Sequence, residues 1–357
     1  MSLRRLRHRG SHEIVLARAA TQPPRDFIVK RPRRHSTEAR RESLRRRAEV
    51  EYQALTEIAP LISVKDPALG CPRPLGYDPH TGALFLERVD GESLRSIVFG
   101  LGGPVRGAGR PARGGRIARA LRLSAEWLAR LHEVTRSEHE RHAFDWVLAE
   151  LALPETERML RTYAGEQAYR ELERLAIRFR REHPQFRRPL CRIHGAFLPY
   201  HVLAGDAGIH VIDLEVSRLG FPHEDTGLFV AYYDLCAPWR RLVADRRMPI
   251  EEQVALWWRA YSGSDEPASS PEGLLRGFTR VLGMARFVAL ARRARYGEDV
   301  SVAAGSFAAA AAATPAPATL ASFERTGRSL TSRLLEPWWR HRVRLACGQE
   351  LAAMRDA

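Results

Sequence analysis

The sequence predicts an α+β protein in which a small sheet with one main helix precedes a larger, mainly α-helical part. Three observations carry this. Short apolar runs bounded by turn residues crowd the first 90 residues, apolar residues at helical spacing dominate from Ile117 onward, and a compact β-rich island at 190–216 interrupts the helices. With 357 residues, 45% hydrophobic and 28% charged, the chain buries a real core, which excludes a disordered or collagen-like chain.

The first residues are strongly basic. The net charge is +15, and residues 1–50 alone carry 15 basic against 5 acidic side chains, so the charge is local. Such a segment suits nucleic acid, anionic lipid or a phosphorylated ligand. No zinc-finger spacing and no aromatic RNA-binding strand accompanies it, so nucleic acid is not the expected partner. No apolar stretch follows the basic residues and no run of about 18 apolar residues occurs, so neither a secretory signal nor a transmembrane segment is read. A cytoplasmic protein is expected. Cys71, Cys191, Cys236 and Cys347 are far apart and form no C-x-x-C pair, which argues against a zinc knuckle, a redox motif or a disulfide framework.

Residues 13–20 and 26–30 read as strands, with Gly10-Ser11 as a turn before the first and Gln22-Pro23-Pro24 between them. Of 57 basic residues only Lys30 and Lys65 are lysine. Lys30 closes the run Phe27-Ile28-Val29, and a lysine there is either an accident of composition or a point charge needed where a guanidinium would not fit. A helix is expected from an N-cap at Ser36 or Thr37 to about Ile58, before Pro60. Leu44, Ala48, Leu55 and Ile58 share one face with Glu51, whereas Glu49 and Glu57 do not. An inward carboxylate requires a cation, and Lys30 is the candidate.

Residues 72–77 and 83–87 read as a hairpin, and Val89-Asp90-Gly91 as a connector. The Gly-, Pro- and Arg-rich stretch 98–115 is expected to be a surface loop, with a basic flap over an anionic ligand as the alternative. Leu121, Ala125, Leu128 and Leu131 mark a core helix ending near His132, and further helices are expected within 143–182. After the island, helices are expected near 224–234, 249–262, 272–296, 319–335 and 338–355. The Ala-rich stretch 303–321, broken by Pro315 and Pro317, reads as a linker or a poor helix. Within the island, a Gly-Asp-Ala-Gly turn joins two short strands and delivers Asp213 and Glu215 just past a strand end. Carboxylates there suit a divalent metal, or else an ordinary solvated turn.

The order of these features resembles the aminoglycoside phosphotransferase and choline kinase-like families: strand lysine, inward helix glutamate, hinge, helical region, His194-Gly195 island, then Ile212-Asp213-Leu214-Glu215. Those families typically show H-G-D-x-x-x-x-N followed by I-D-x-E. The resemblance runs from about Arg4 to Tyr233 and includes Glu51-Tyr52-Gln53-Ala54-Leu55, Pro72-Arg73-Pro74-Leu75, Phe85 to Leu94 and Leu128 to His132. It implies a protein-kinase-like bilobal fold, with a nucleotide-binding N-lobe at 1–90 and a helical C-lobe at 91–357. It also implies ATP and Mg2+ as cofactors. Lys30 would touch the phosphates and pair with Glu51, Gly10 and Ser11 would lie over them, and Glu87 to Val89 would form the adenine hinge. Asp213 would hold magnesium, and His194 and Asp225 would be scaffold residues of the catalytic loop.

Two departures stand out. Ala196 replaces the catalytic aspartate and His201 the metal-binding asparagine. In kinase chemistry that aspartate orients the acceptor hydroxyl and accepts its proton, and alanine does neither. His201 offers a metal ligand or a base acting through water, although a lone histidine in such a loop is more often structural. The expectation is therefore a nucleotide-binding, catalytically impaired kinase-fold protein acting through a protein partner. The alternative is an active phosphotransferase with an altered loop, acting on a small-molecule or glycan hydroxyl. Other enzyme classes lack their motifs: there is no G-x-x-x-x-G-K-[ST] and no G-x-S-x-G, and His132-Glu133 is followed by Arg136 where H-E-x-x-H needs histidine.

Overall fold

A computed structural model describes residues 2–7, 12–19, 25–33, 37–64, 66–99, 113–243, 249–263, 267, 269–296 and 323–356. Strands β1 (Ser2–Arg7), β2 (His12–Ala19) and β3 (Arg25–Pro32) lead into helix α1 (Glu38–Ser63). After the two-residue β4 (Leu69–Gly70) come β5 (Pro74–Asp78) and β6 (Ala83–Glu87). The antiparallel sheet has the order β1-β2-β3-β6-β5, which puts Lys30 on a central strand opposite Ile14 and Leu84. Strand β1 is not among the expected elements, because Ser-Leu-Arg-Arg-Leu-Arg reads as a basic tail. It lies on the sheet edge, where charged residues discourage further pairing.

Thr37 caps α1 by accepting a hydrogen bond from the Arg40 N–H. The expected stop before Pro60 is wrong: the helix runs on to Ser63. Proline removes one backbone hydrogen bond, but Ile58 and Ile62 on either side are fully buried, and that packing holds the last turn. The hairpin forms as expected, beginning at Pro74 rather than Pro72.

Strand β7 (Glu92–Ser93) and helix α2 (Leu94–Phe99) lead toward α3 (Arg113–Val134), whose Leu121, Leu128 and Leu131 are buried. Strand β8 (Glu140–His142) precedes α4 (Ala143–Leu151), α5 (Pro154–Tyr163) and α6 (Glu166–Glu182). The island comprises β9 (Arg187–Pro189), β10 (Cys191–Ile193), a 3-10 turn at Pro199–His201, β11 (Val202–Ala204), β12 (Ile209–Val211) and β13 (Arg218–Gly220). It is pinned from outside. Strands β4 and β7 flank the β11–β12 pair to give the order β4-β12-β11-β7, with β4 parallel to β12.

Helices α7 (His223–Val243), α8 (Ile250–Ser262), α9 (Pro271–Tyr296) and α10 (Phe323–Asp356) follow among the described residues. The backbones of α7 and α9 touch at Gly227 and Gly283, where a Cβ on Gly283 would stand 2.1 Å from the Gly227 carbonyl oxygen. The helices expected at 319–335 and 338–355 are one helix passing through Pro337. Trp339, Val343, Ala346, Cys347, Leu351 and Met354 form its buried stripe, and Arg342 of α10 and Arg280 of α9 both pair with Asp234 of α7. Residues 303–321 and most of 98–115 lie outside the described residues. No described helix is long and apolar enough to cross a membrane.

Candidate active site

Lys30 is 7% exposed, and its ammonium donates to Glu51 Oε2 at 2.7 Å, the partner expected from the helix face. The sequence does not show that the same ammonium also meets Asp213 Oδ1 and, at 3.0 Å, Glu215 Oε2. The ligand atoms of these three carboxylates lie within 4.8 Å of one another. Arg47, one turn before Glu51, lies 3.6 Å from Glu215 Oε1, and His12 at the start of β2 lies 3.6 Å from Glu215 Oε2.

Burial works against the Lys30 charge, but Asp213, Glu215 and Glu51 outweigh it and hold the ammonium well above its usual pKa. Burial also opposes ionisation of Asp213. Lys30 and the His201 hydrogen bond prevail there and hold that carboxyl well below the usual range. Glu51 goes the other way: burial, with Asp213 and Glu215 nearby, pushes it up to about 7 against the pull of Lys30. Among the described residues Asp213 is the one non-glycine with positive φ, +73°, a conformation aspartate tolerates better than most.

The loop beside Asp213 hangs from α7. Buried Asp225 accepts hydrogen bonds from the backbone N–H of His194 (2.7 Å) and of Gly195 (2.8 Å), and from His132 Nε2 (3.3 Å). His132 Nδ1 in turn meets the Tyr261 hydroxyl at 2.8 Å. Gly195 has φ +78°, and a Cβ there would come within 2.6 Å of the Val216 carbonyl oxygen, so only glycine fits. His194 donates from Nε2 to the Ile212 carbonyl at 3.1 Å, and its Nδ1 faces the Ala196 N–H at 3.4 Å.

His201 stacks on His194 with ring centroids 5.4 Å apart and planes 9° from parallel. Its Nδ1 donates to the Ala196 carbonyl at 2.8 Å, and its Nε2 lies 3.0 Å from Asp213 Oδ2. Both nitrogens therefore have partners within the protein, and neither is turned toward open space. Ala196 is 2% exposed and brings only a methyl group to this loop. Glu87 ends β6 with its N–H donated to the Arg73 carbonyl, and partly buried Val89 follows. Gly10 and Ser11 lie outside the described residues. Arg47 and His12 are missed by the sequence reading, although four-residue spacing from Glu51 is a usable signal for Arg47.

The buried histidines set a pH dependence. Burial, helped by the Lys30 charge, pushes His12 down to about 3, and burial with neighbouring His201 pushes His194 down to about 4. As pH falls below about 6.5 both protonate in the unfolded chain first, so folding loses stability. Glu51 opposes this, because the folded chain holds its proton up to about 7 while the unfolded chain binds it only near 4.5. The two histidines outweigh the one carboxyl, so stability falls as the pH drops from about 6.5 to 4.5. Urea unfolding at about pH 7 and pH 5 checks this; equal or greater stability at the lower pH contradicts it.

A small sheet carrying a buried lysine, one helix supplying its glutamate, and a helical part presenting an aspartate beside a histidine-glycine loop define a kinase-like phosphotransferase fold. The chain belongs to the APH phosphotransferase enzyme family, whose model matches residues 3–269, as the motif order implied. Macrolide 2'-phosphotransferase MphH from Brachybacterium faecium has a similar structure: TM-score 0.50 and 18% identity, covering 88% of this chain and 92% of that one. The streptomycin–ATP ternary complex of APH(2'')-IIa aligns with TM-score 0.45 and 14% identity over 86% and 90% of the two chains. A choline/ethanolamine kinase family protein from Mesorhizobium loti aligns with TM-score 0.43 and 18% identity over 97% and 93%. At these identities the likeness is one of fold. No curated protein matches the sequence.

Proposed function

We propose that this chain binds ATP with a divalent cation and has lost most of the phosphotransfer capacity of its family. One observation carries the reading. Lys30 is held by Glu51 and Asp213, as a phosphate-binding lysine requires, while the facing loop offers a methyl at Ala196 and a fully engaged His201. In this reading phosphate oxygens take over part of the ring of carboxylates around Lys30, and Glu51 keeps the ammonium in place. Residues 87–89 read adenine through their backbone, and Asp213 holds the cation, which neutralises phosphate charge.

Loss of a positioned base costs about 10²- to 10⁴-fold in rate. Phosphoryl transfer rests mainly on positioning and electrostatics, so a slow reaction on a small-molecule or glycan hydroxyl survives as the second reading, favoured by the intact Lys30, Glu51 and Asp213 set. If the chain is inactive, it acts through a protein partner.

Calorimetric and thermal-shift titration with ATP and a divalent cation tests the binding. Wild type is expected to bind, Lys30→Ala to lose at least about tenfold in affinity through one lost charge-assisted contact, and Asp213→Asn to lose the cation dependence. Unchanged affinity in a folded Lys30→Ala protein rejects the site.

A further inference from the structure

The Asp213–His201 pair carries one step beyond this reading, and the step rests on it. The centre of the three-carboxylate cluster is filled by the Lys30 ammonium, so no metal ion fits there. The other oxygen of Asp213 is placed differently. Oδ2 lies 3.0 Å from His201 Nε2, and the carboxylate side chain is 28% exposed, open enough for a cation to reach. Two ligands each ~2.1 Å from one metal and at a right angle stand ~3.0 Å apart.

His201 is prepared for that role. Its Nδ1–H is fixed on the Ala196 carbonyl, the outer bond with which metal-binding histidines set their tautomer, and its buried ring is stacked on His194. Nε2 is then the nitrogen that meets a cation, beside Asp213 Oδ2. Imidazole nitrogen favours first-row transition cations, whereas Mg2+ takes oxygen ligands and gives up its water reluctantly.

We propose that His201 turns the cation site of this chain from magnesium toward a first-row transition cation, with Asp213 Oδ2 and His201 Nε2 as adjacent ligands. The test uses the full-length chain without nucleotide, titrated separately with Co2+ and Mg2+, and reads nitrogen coupling to bound Mn2+ by electron spin echo. Wild type is expected to prefer Co2+ and to show histidine nitrogen coupling. His201→Asn is expected to lose that coupling and about 10- to 100-fold in Co2+ affinity, with Mg2+ affinity maintained. An unchanged Co2+ to Mg2+ ratio in His201→Asn, or wild-type Mn2+ without nitrogen coupling, overturns the proposal. If His201→Asn does not fold, Asp213→Asn with the wild-type spin echo decides in its place.

A parallel ATP titration keeps the two readings apart. ATP binding by a wild-type protein whose bound Mn2+ shows no nitrogen coupling overturns the cation site and leaves nucleotide binding standing. Nitrogen-coupled Mn2+ without any ATP binding supports the cation site and removes the nucleotide reading.

Discussion

Ala196→Asp combined with His201→Asn is expected to raise ATP hydrolysis by about 10²- to 10⁴-fold over wild type, the size of a positioned general base. The loop around position 196 is held by its backbone: Asp225 grips the N–H groups of His194 and Gly195, and the Ala196 carbonyl takes its bond from position 201. Changing the Cβ substituent at 196 therefore alters the chemistry more than the path of the chain. Asparagine at 201 keeps a side-chain N–H for the Ala196 carbonyl and leaves Asp213 Oδ2 to oxygen-preferring Mg2+. The single variant Ala196→Asp is expected to gain less, because His201 still sits on Asp213. Phosphate release in Mg2+ is the readout, with Lys30→Ala on the double background as the control that returns the rate to baseline. If the double variant binds Mg-ATP yet hydrolyses it at the wild-type rate, Ala196 does not stand at the position of the base.

How much of this was legible depends on whether the signal was local. The Lys30–Glu51 pair followed from one helix face, since Glu51 shares a stripe with Leu44, Ala48, Leu55 and Ile58 and a buried carboxylate demands a cation. The Thr37 cap and the β5–β6 hairpin were equally local. Strand β1 was missed because arginines mask its alternation, and the sheet edge it occupies is a property of tertiary order. The passages of α1 through Pro60 and of α10 through Pro337 went the same way: propensity predicted a stop, and buried residues beyond each proline overrode it. At the site, the motif order placed Asp213 near Lys30, but no spacing rule announces that Glu215 joins the same ammonium. Nor does one announce that His201 spends both nitrogens on the Ala196 carbonyl and Asp213. Those contacts cross from the sheet to the island, and only the β4 and β7 pairings that pin the island bring them together.

Asp225→Ala is expected to lower the unfolding free energy by about 3–5 kcal/mol, the cost of leaving several buried donors without an acceptor at about 1–3 kcal/mol each. Asp225 is fully buried and satisfies the backbone N–H of His194 and of Gly195 and the Nε2 of His132, so its removal leaves three donors without acceptors in the interior. Gly195 sharpens the loss, because its left-handed backbone is wedged against Val216 and cannot turn its N–H toward water without moving the strand that follows. Asp225→Asn keeps one accepting oxygen but turns amide hydrogens toward a second N–H, and should recover only part of the stability. His132→Ala removes one of the three bonds and should cost about 1–2 kcal/mol. Urea unfolding of the three variants orders these effects as Asp225→Ala, then Asp225→Asn, then His132→Ala. An Asp225→Ala protein no less stable than His132→Ala would mean that water reaches these N–H groups and that the loop does not hang from α7.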